Sequence, residues 1–315
     1  IMVSQETIYR EASHYNSWYY GPKETLANEI KEYCNKAEAL DQSKNKLKGM
    51  IVPHAGVMWS GPTAVWGFKN LVNKKLKRIF ILGPSHFVEF PGCGLTTADY
   101  WKTPFCNLKV DREVFSDLKK LNTKDKPLFL DLPMDIDLYE HSLEIQTPYL
   151  GYFLQDKASD ITIVPILTGK LSYEEELIYA KTLSDYYGDD DNIFVISEDF
   201  CHWGKRHKLQ FQYEHCEKIY QSIEFLDQMA FDIIAKQNSK EFSEYLSKWK
   251  NNLCGGGSPV TIYLAIVENY IKSNKEKNKE NKQNMRLMHY TKSNPKIEIE
   301  KEESVSYAVF LDYIE

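Results

Sequence analysis

Four short, β-branched apolar runs each end at a polar cluster. Residues 48–53 run into His54, 78–83 into Pro84-Ser85-His86, and 161–167 into Thr168-Gly169. Residues 192–197 run into Glu198-Asp199-Phe200-Cys201-His202-Trp203. Runs of this length and composition read as buried strands. In open parallel sheets ligands bind beyond the carboxyl ends of the strands. Three imidazoles at three such ends would converge on one site.

The intervening segments carry helix signals. Apolar residues recur at helical spacing over 24–41, including Leu26, Ile30, Tyr33 and Ala37, and Gly61-Pro62 opens a helix over 62–73. Further helices are expected over 111–121, 142–155, 173–187, 213–236, 239–250 and 261–271, the last with Ser258 as cap and Pro259 in its first turn. Residues 122–137 read as a loop and 304–313 as a late strand. Alternating strands and helices predict an α/β fold with a central mixed, largely parallel sheet flanked by helices. No composition break divides the 315 residues, so a single domain over 1–315 is expected. Residues 272–284 are almost wholly polar and are expected to form a flexible insertion.

The net charge of -6 gives no electrostatic reason to expect nucleic acid as a partner. No apolar run approaches the ~20 residues that span a bilayer, and Met2 reads as the native start. The six cysteines are scattered without a CxxC pair, which fits reduced thiols in a cytoplasmic protein.

The chemistry-bearing residues each have a bland reading. His54 and His86 are equally consistent with core histidines bonded to carbonyls. Asp199 lies three residues before His202 and could orient it or share a metal with it. In Glu140-His141-Ser142-Leu143-Glu144, Ser142 suits a helix cap and Glu144 a first-turn carboxylate. Cys254 precedes Gly255-Gly256-Gly257 and a helix start, a position that lowers a thiol pKa. The triple glycine lacks the ending of a phosphate loop. His14, His207, His215 and His289 read as ordinary surface or satisfied residues, and 189–191 as a solvated turn.

Taken together, these segments resemble the Memo (mediator of cell motility) family. The resemblance rests on Arg10-Glu11-Ala12-Ser13-His14 with Ser17-Trp18-Tyr19, on Pro53-His54-Ala55-Gly56, on Phe80 through His86, and on Glu140 through Glu144. It continues through Ser197 to Gly204, Ser222 to Asp227, Cys254-Gly255 and Ser304 to Ala308, in family order over nearly the whole chain. It implies a single α/β domain similar to class III extradiol ring-cleaving dioxygenases. By that resemblance His54, His86 and Cys254 match metal-ligand positions, His202 an acid/base histidine with Asp199 beside it, and Trp18 a residue at the pocket edge. His141 and Glu144 are placed in the same substrate or peptide cleft. The family is associated with copper and iron, redox activity and phosphotyrosine peptides. The dioxygenases complete their triad with a carboxylate where this chain offers Cys254, and thiolate shifts the preference toward Cu(I), zinc or a more covalent iron site.

Three functions follow as expectations. One is an oxidoreductase-like copper or iron protein, with zinc as the other metal option and a small molecule as ligand. The second is a phosphotyrosine-peptide-binding module without turnover. The third is a vestigial enzyme fold kept as a scaffold.

Overall fold

The computed structural model describes residues 6–71, 75–123, 126–249, 252–277 and 282–315, the side chain of residue 156 apart. Its main elements run α1 (Lys23–Cys34), β1 (Lys46–Val52), α2 (Val57–Phe68), β2 (Arg78–Pro84), α3 (Thr147–Leu154), β3 (Thr162–Thr168) and α4 (Tyr173–Gly188). There follow β4 (Asn192–Ser197), α5 (Ile219–Ala235), α6 (Ser239–Lys248), α7 (Ser258–Glu276), β5 (Gln283–Lys292) and β6 (Ser304–Ile314).

The sheet centre has the order β3-β2-β4-β1-β6. The first four strands are mutually parallel, whereas β6 pairs antiparallel with β1 and β5 antiparallel with β6. Strand β4 is buried along its whole length, and β1, β2 and β3 are buried after their first residue. Helices cover both faces, so these strands show no polar alternation. The register pairs Thr168 with Pro84 and Ser197 with Val52. The residues that follow each strand, Ser85-His86, Glu198-Asp199 and Pro53-His54, therefore emerge at one edge. Among the described residues no helix is long and apolar enough to cross a membrane.

Several elements differ from the sequence expectations. Helix α2 begins at Val57 rather than Pro62, because the Val57 amide finds the Trp18 carbonyl at 2.9 Å across the fold. Pro62 is then carried inside the helix. Residue 73, the expected end, lies outside the described residues, as does 250 at the end of α6. Helix α1 stops at Cys34, and α5 starts only at Ile219. The expected helix over 142–155 is regular only from Thr147, after a 3-10 turn at Glu144–Gln146. Ser142 caps nothing there; its hydroxyl donates to the Pro84 carbonyl at 2.8 Å. The expected loop over 122–137 contains a strand at Phe129–Asp131 and a helix at Met134–Tyr139.

Gly257, at φ 76°, takes the cap position expected of Ser258. The expected insertion over 272–284 begins as the last turns of α7 and ends in β5, while 278–281 lie outside the described residues. Polar composition concealed both elements because their order comes from β6 and the rest of α7. Asp189 to Asp191 form a turn whose Asp190 carboxylate pairs with Lys46 and Lys48.

Candidate metal centre

His54 is 1% exposed, and its surroundings fix its tautomer. The Ser197 hydroxyl donates its one proton to the Ser142 carbonyl at 2.7 Å and accepts from Gln146 Nε2 at 2.9 Å. At 2.9 Å from His54 Nδ1 it is therefore also an acceptor, so Nδ1 carries the proton. The His54 Nε2 lone pair is left with no hydrogen-bond partner, and the atom is buried. Burial, together with the nearby imidazoles of His86, His141 and His202, holds His54 well below the usual histidine range.

His86 is set the same way by a carboxylate. Its amide donates to Glu140 Oε2 at 2.7 Å and its Nδ1 to Oε1 at 2.9 Å. Its Nε2 lies 2.9 Å from Cys254 Sγ. Burial raises the pKa of Glu140, but the His86 hydrogen bond and the neighbouring histidines outweigh it and bring the carboxyl to about 2.

Cys254 reaches this position through a turn that only glycine forms easily. Gly255 has φ 68°, and a Cβ there would stand 2.3 Å from Pro84 Cβ. The expectation of a lowered Cys254 pKa is not met. Burial first, then the charges of Asp199, Glu198 and Glu140, push the thiol well above its ordinary value. The helix behind it starts only at Ser258, too far on for its dipole to prevail.

The ligand atoms of His54, His86 and Cys254 lie within 4.8 Å of one another. A buried imidazole lone pair without a partner, a second imidazole nitrogen and a thiol form a donor set that fits a soft or borderline transition metal. His86, Glu140 and His141 are grouped as closely. There, however, Glu140 Oε1 already accepts from the His86 ring and from the amides of His141 and Ser142. That oxygen sits in a ring of donors, which repels a cation.

Asp199 Oδ1 accepts from the His54 amide at 2.8 Å, and Oδ2 stands 4.0 Å from His54 Nε2. Burial lifts its pKa to about 7. His202 Nδ1 donates to the Phe200 carbonyl at 2.7 Å, which leaves Nε2 as the acceptor. Burial lowers its pKa to about 4. His86, His202 and Cys254 line an open cleft of about 980 Å³.

Trp18, His141 and Glu144 do not line that cleft. Trp18 stacks on His141 at 4.1 Å between ring centroids, and His141 on His86 at 4.4 Å, so the three rings form a stacked column. Burial and the charge of His86 bring His141 to about 3. Glu144 is buried and fully engaged. It accepts from Arg10, Ser13 and Tyr19 and from both the amide and Nδ1 of His14. His14, expected as an ordinary surface or satisfied residue, is 9% exposed and satisfied within this network. Arg10, Ser197, Gln146 and Glu140 as a clamp also escaped sequence reading. The four-residue spacing of Glu140 and Glu144 was the available signal, since each carboxylate holds one histidine.

The comparisons with known proteins agree with the resemblance. Residues 10–311 match the model of the Memo-like protein family. Protein MEMO1 of Xenopus laevis is 37% identical over 262 residues, covering 83% of this chain and 85% of the relative. Protein MEMO1 of Homo sapiens is 35% identical over 267 residues, covering 84% and 87%. The memo-1 homolog of Caenorhabditis elegans is 34% identical over 300 residues, covering 95% and 81%. An uncharacterized protein, JW3007 of Escherichia coli K12, shows a TM-score of 0.44 at 12% identity, covering 82% of this chain and 98% of its own. With a matching family model over nearly its full length and relatives above a third identical, the chain belongs to the Memo-like protein family.

Proposed function

We propose that this protein binds one redox metal ion, copper or iron, through His54 Nε2, His86 Nε2 and Cys254 Sγ, and acts as an oxidoreductase-like protein on a small molecule in the cleft. The observation that carries this reading is the buried His54 Nε2, a lone pair with no partner beside a second imidazole and a thiol. A buried acceptor left unpaired costs about 1–3 kcal/mol, which a bound cation would offset. The ion would supply electron transfer or Lewis acidity, and two imidazoles with one thiolate suit either copper or iron.

The chain's own residues have separable tasks. Ser197 and Glu140 orient the two imidazoles. Asp199 lies against His54 and, with a pKa near 7, can hold or release a proton. His202 presents Nε2 as a proton acceptor at the cleft wall. A role in motility signalling belongs to the same proposal and rests on family membership alone.

The test is elemental analysis of wild type and Cys254→Ser after anaerobic purification. Near-stoichiometric copper or iron, lost in the variant, is the expected result. Zinc would replace the redox role with a structural one. No metal after anaerobic loading would overturn the reading.

A further inference from the structure

Three buried carboxylates, Asp199, Glu198 and Glu140, lie near Cys254 but do not line the cleft. One turn that does line it is basic. Lys205-Arg206-His207-Lys208 forms a turn closed by Gly204 and Leu209, whose amides and carbonyls pair with each other. This basic run passed unnoticed in the sequence, because a net charge of -6 describes the whole surface and not one turn. The turn is held in place by the fold. The His207 ring meets the His202 ring edge-on at 5.0 Å, and Lys208 adopts φ 57°, a left-handed conformation unusual for lysine.

His207 and Lys208 both line the cleft that exposes His86, His202 and Cys254. Lys170 and Glu89 also line the cleft and are paired with each other at 3.6 Å. Lys205, Arg206 and Lys208 have no ion-pair partner among the described residues. The acidic group acting on His207 is Glu303, opposed by Arg206, and burial lowers the His207 pKa. His207 is therefore a hydrogen-bonding group here, while Lys208 and its neighbours carry the charge. Phe87, Leu246 and Trp249 add apolar wall, and a Cβ at Gly256 would meet nothing within 4 Å, so the backbone there is open to a ligand.

We propose that the cleft selects a small anionic molecule, a carboxylate or phosphate monoester with an apolar body, whose charged group is anchored by Lys208 and His207 at the mouth. Its other end then points toward His202 and Cys254. An exposed lysine on the cleft, unpaired among the described residues, attracts such a molecule before it is bound. The inference rests on the ligand-accepting reading of the same cleft, and it adds the ligand's charge.

The test uses benzoate, phenyl phosphate and uncharged benzamide, titrated by calorimetry into the full chain. Wild type, Lys208→Glu, Lys208→Arg and Cys254→Ser are compared, with thermal melts to confirm folding. Binding of one or both anions, about tenfold weaker in Lys208→Glu and restored in Lys208→Arg, is expected. Benzamide should bind no better to wild type than to Lys208→Glu. The tighter of the two anions identifies carboxylate or phosphate as the natural group. Benzamide binding as tightly as both anions, anion binding unchanged in Lys208→Glu, or no anion binding at all would overturn the proposal. Anion binding kept in a metal-free Cys254→Ser protein leaves the anchor standing whatever the metal content of wild type. Bound metal without anion binding removes the anchor alone.

Discussion

Glu140 grips His86 at two points, the amide at 2.7 Å and the ring Nδ1 at 2.9 Å, and Glu144 grips His14 by the same pair of atoms at 2.8 and 2.9 Å. The two carboxylates are four residues apart in one segment, yet only His86 is carried to Cys254. A carboxylate on Nδ1 fixes the tautomer and raises the basicity of Nε2. Glu140→Gln should therefore bind metal about 10–100-fold more weakly than wild type, and it should also lose stability, because one buried acceptor oxygen becomes an NH2 facing an N–H donor. Competition against a chelator of known affinity measures this, and unchanged affinity would deny Glu140 its positioning role.

Ser197→Ala removes the acceptor that holds the proton on His54 Nδ1. Gln146 keeps its bond to the Pro53 carbonyl at 3.1 Å, so the loss falls mainly on His54. We expect destabilisation of about 1–3 kcal/mol. Nitrogen-15 spectra of the metal-free protein should show the Nδ1-protonated form in wild type and a mixture in the variant. A single unchanged tautomer would show that the ring is set by packing instead.

Cys254 must lose its proton to become a ligand, and burial with nearby carboxylates holds that proton on. Metal uptake near neutral pH should release close to one proton from this thiol. Affinity should rise with pH by about tenfold per unit until the free thiol itself ionises. Calorimetry in buffers of different ionisation enthalpy counts the proton; uptake without release would mean that the sulfur is not a ligand.

Gly255→Ala and Gly256→Ala separate strain from packing. Both positions have positive φ, so each variant carries about 1–2 kcal/mol of backbone strain. At Gly255 the new Cβ also meets Pro84, whereas at Gly256 it enters open space. The first variant should lose metal as well as stability, the second stability alone. Equal metal content in the two would refute this account of the turn.

Burial alone would raise the pKa of Glu144, but His14 and Arg10 bring it to about 2, below its ordinary value. A depressed carboxylate contributes stability above its unfolded pKa and loses it as pH falls through the folded one. The contribution, on the order of 3 kcal/mol at neutral pH, should therefore fade between about pH 4.5 and 2. Denaturant titrations of wild type and Glu144→Gln should differ at pH 7 and converge toward pH 2.

The sequence alone determined the α/β class, the four buried parallel strands, the histidines at their ends, and the family. These signals are local: an uninterrupted apolar run marks a strand buried on both faces, and small motifs in fixed order mark descent. It also supplied Cys254 as a candidate third ligand, through resemblance. Only the tertiary structure decided that Glu144 serves Arg10 and His14 rather than the cleft, that Ser142 donates to Pro84 rather than capping a helix, and that burial raises rather than lowers the pKa of Cys254. It alone placed β5 against β6 and raised Lys208 over the cleft. Each of these depends on a partner far away in the chain, and a hydrogen bond or a desolvation cost exists only once folding has brought the two groups together.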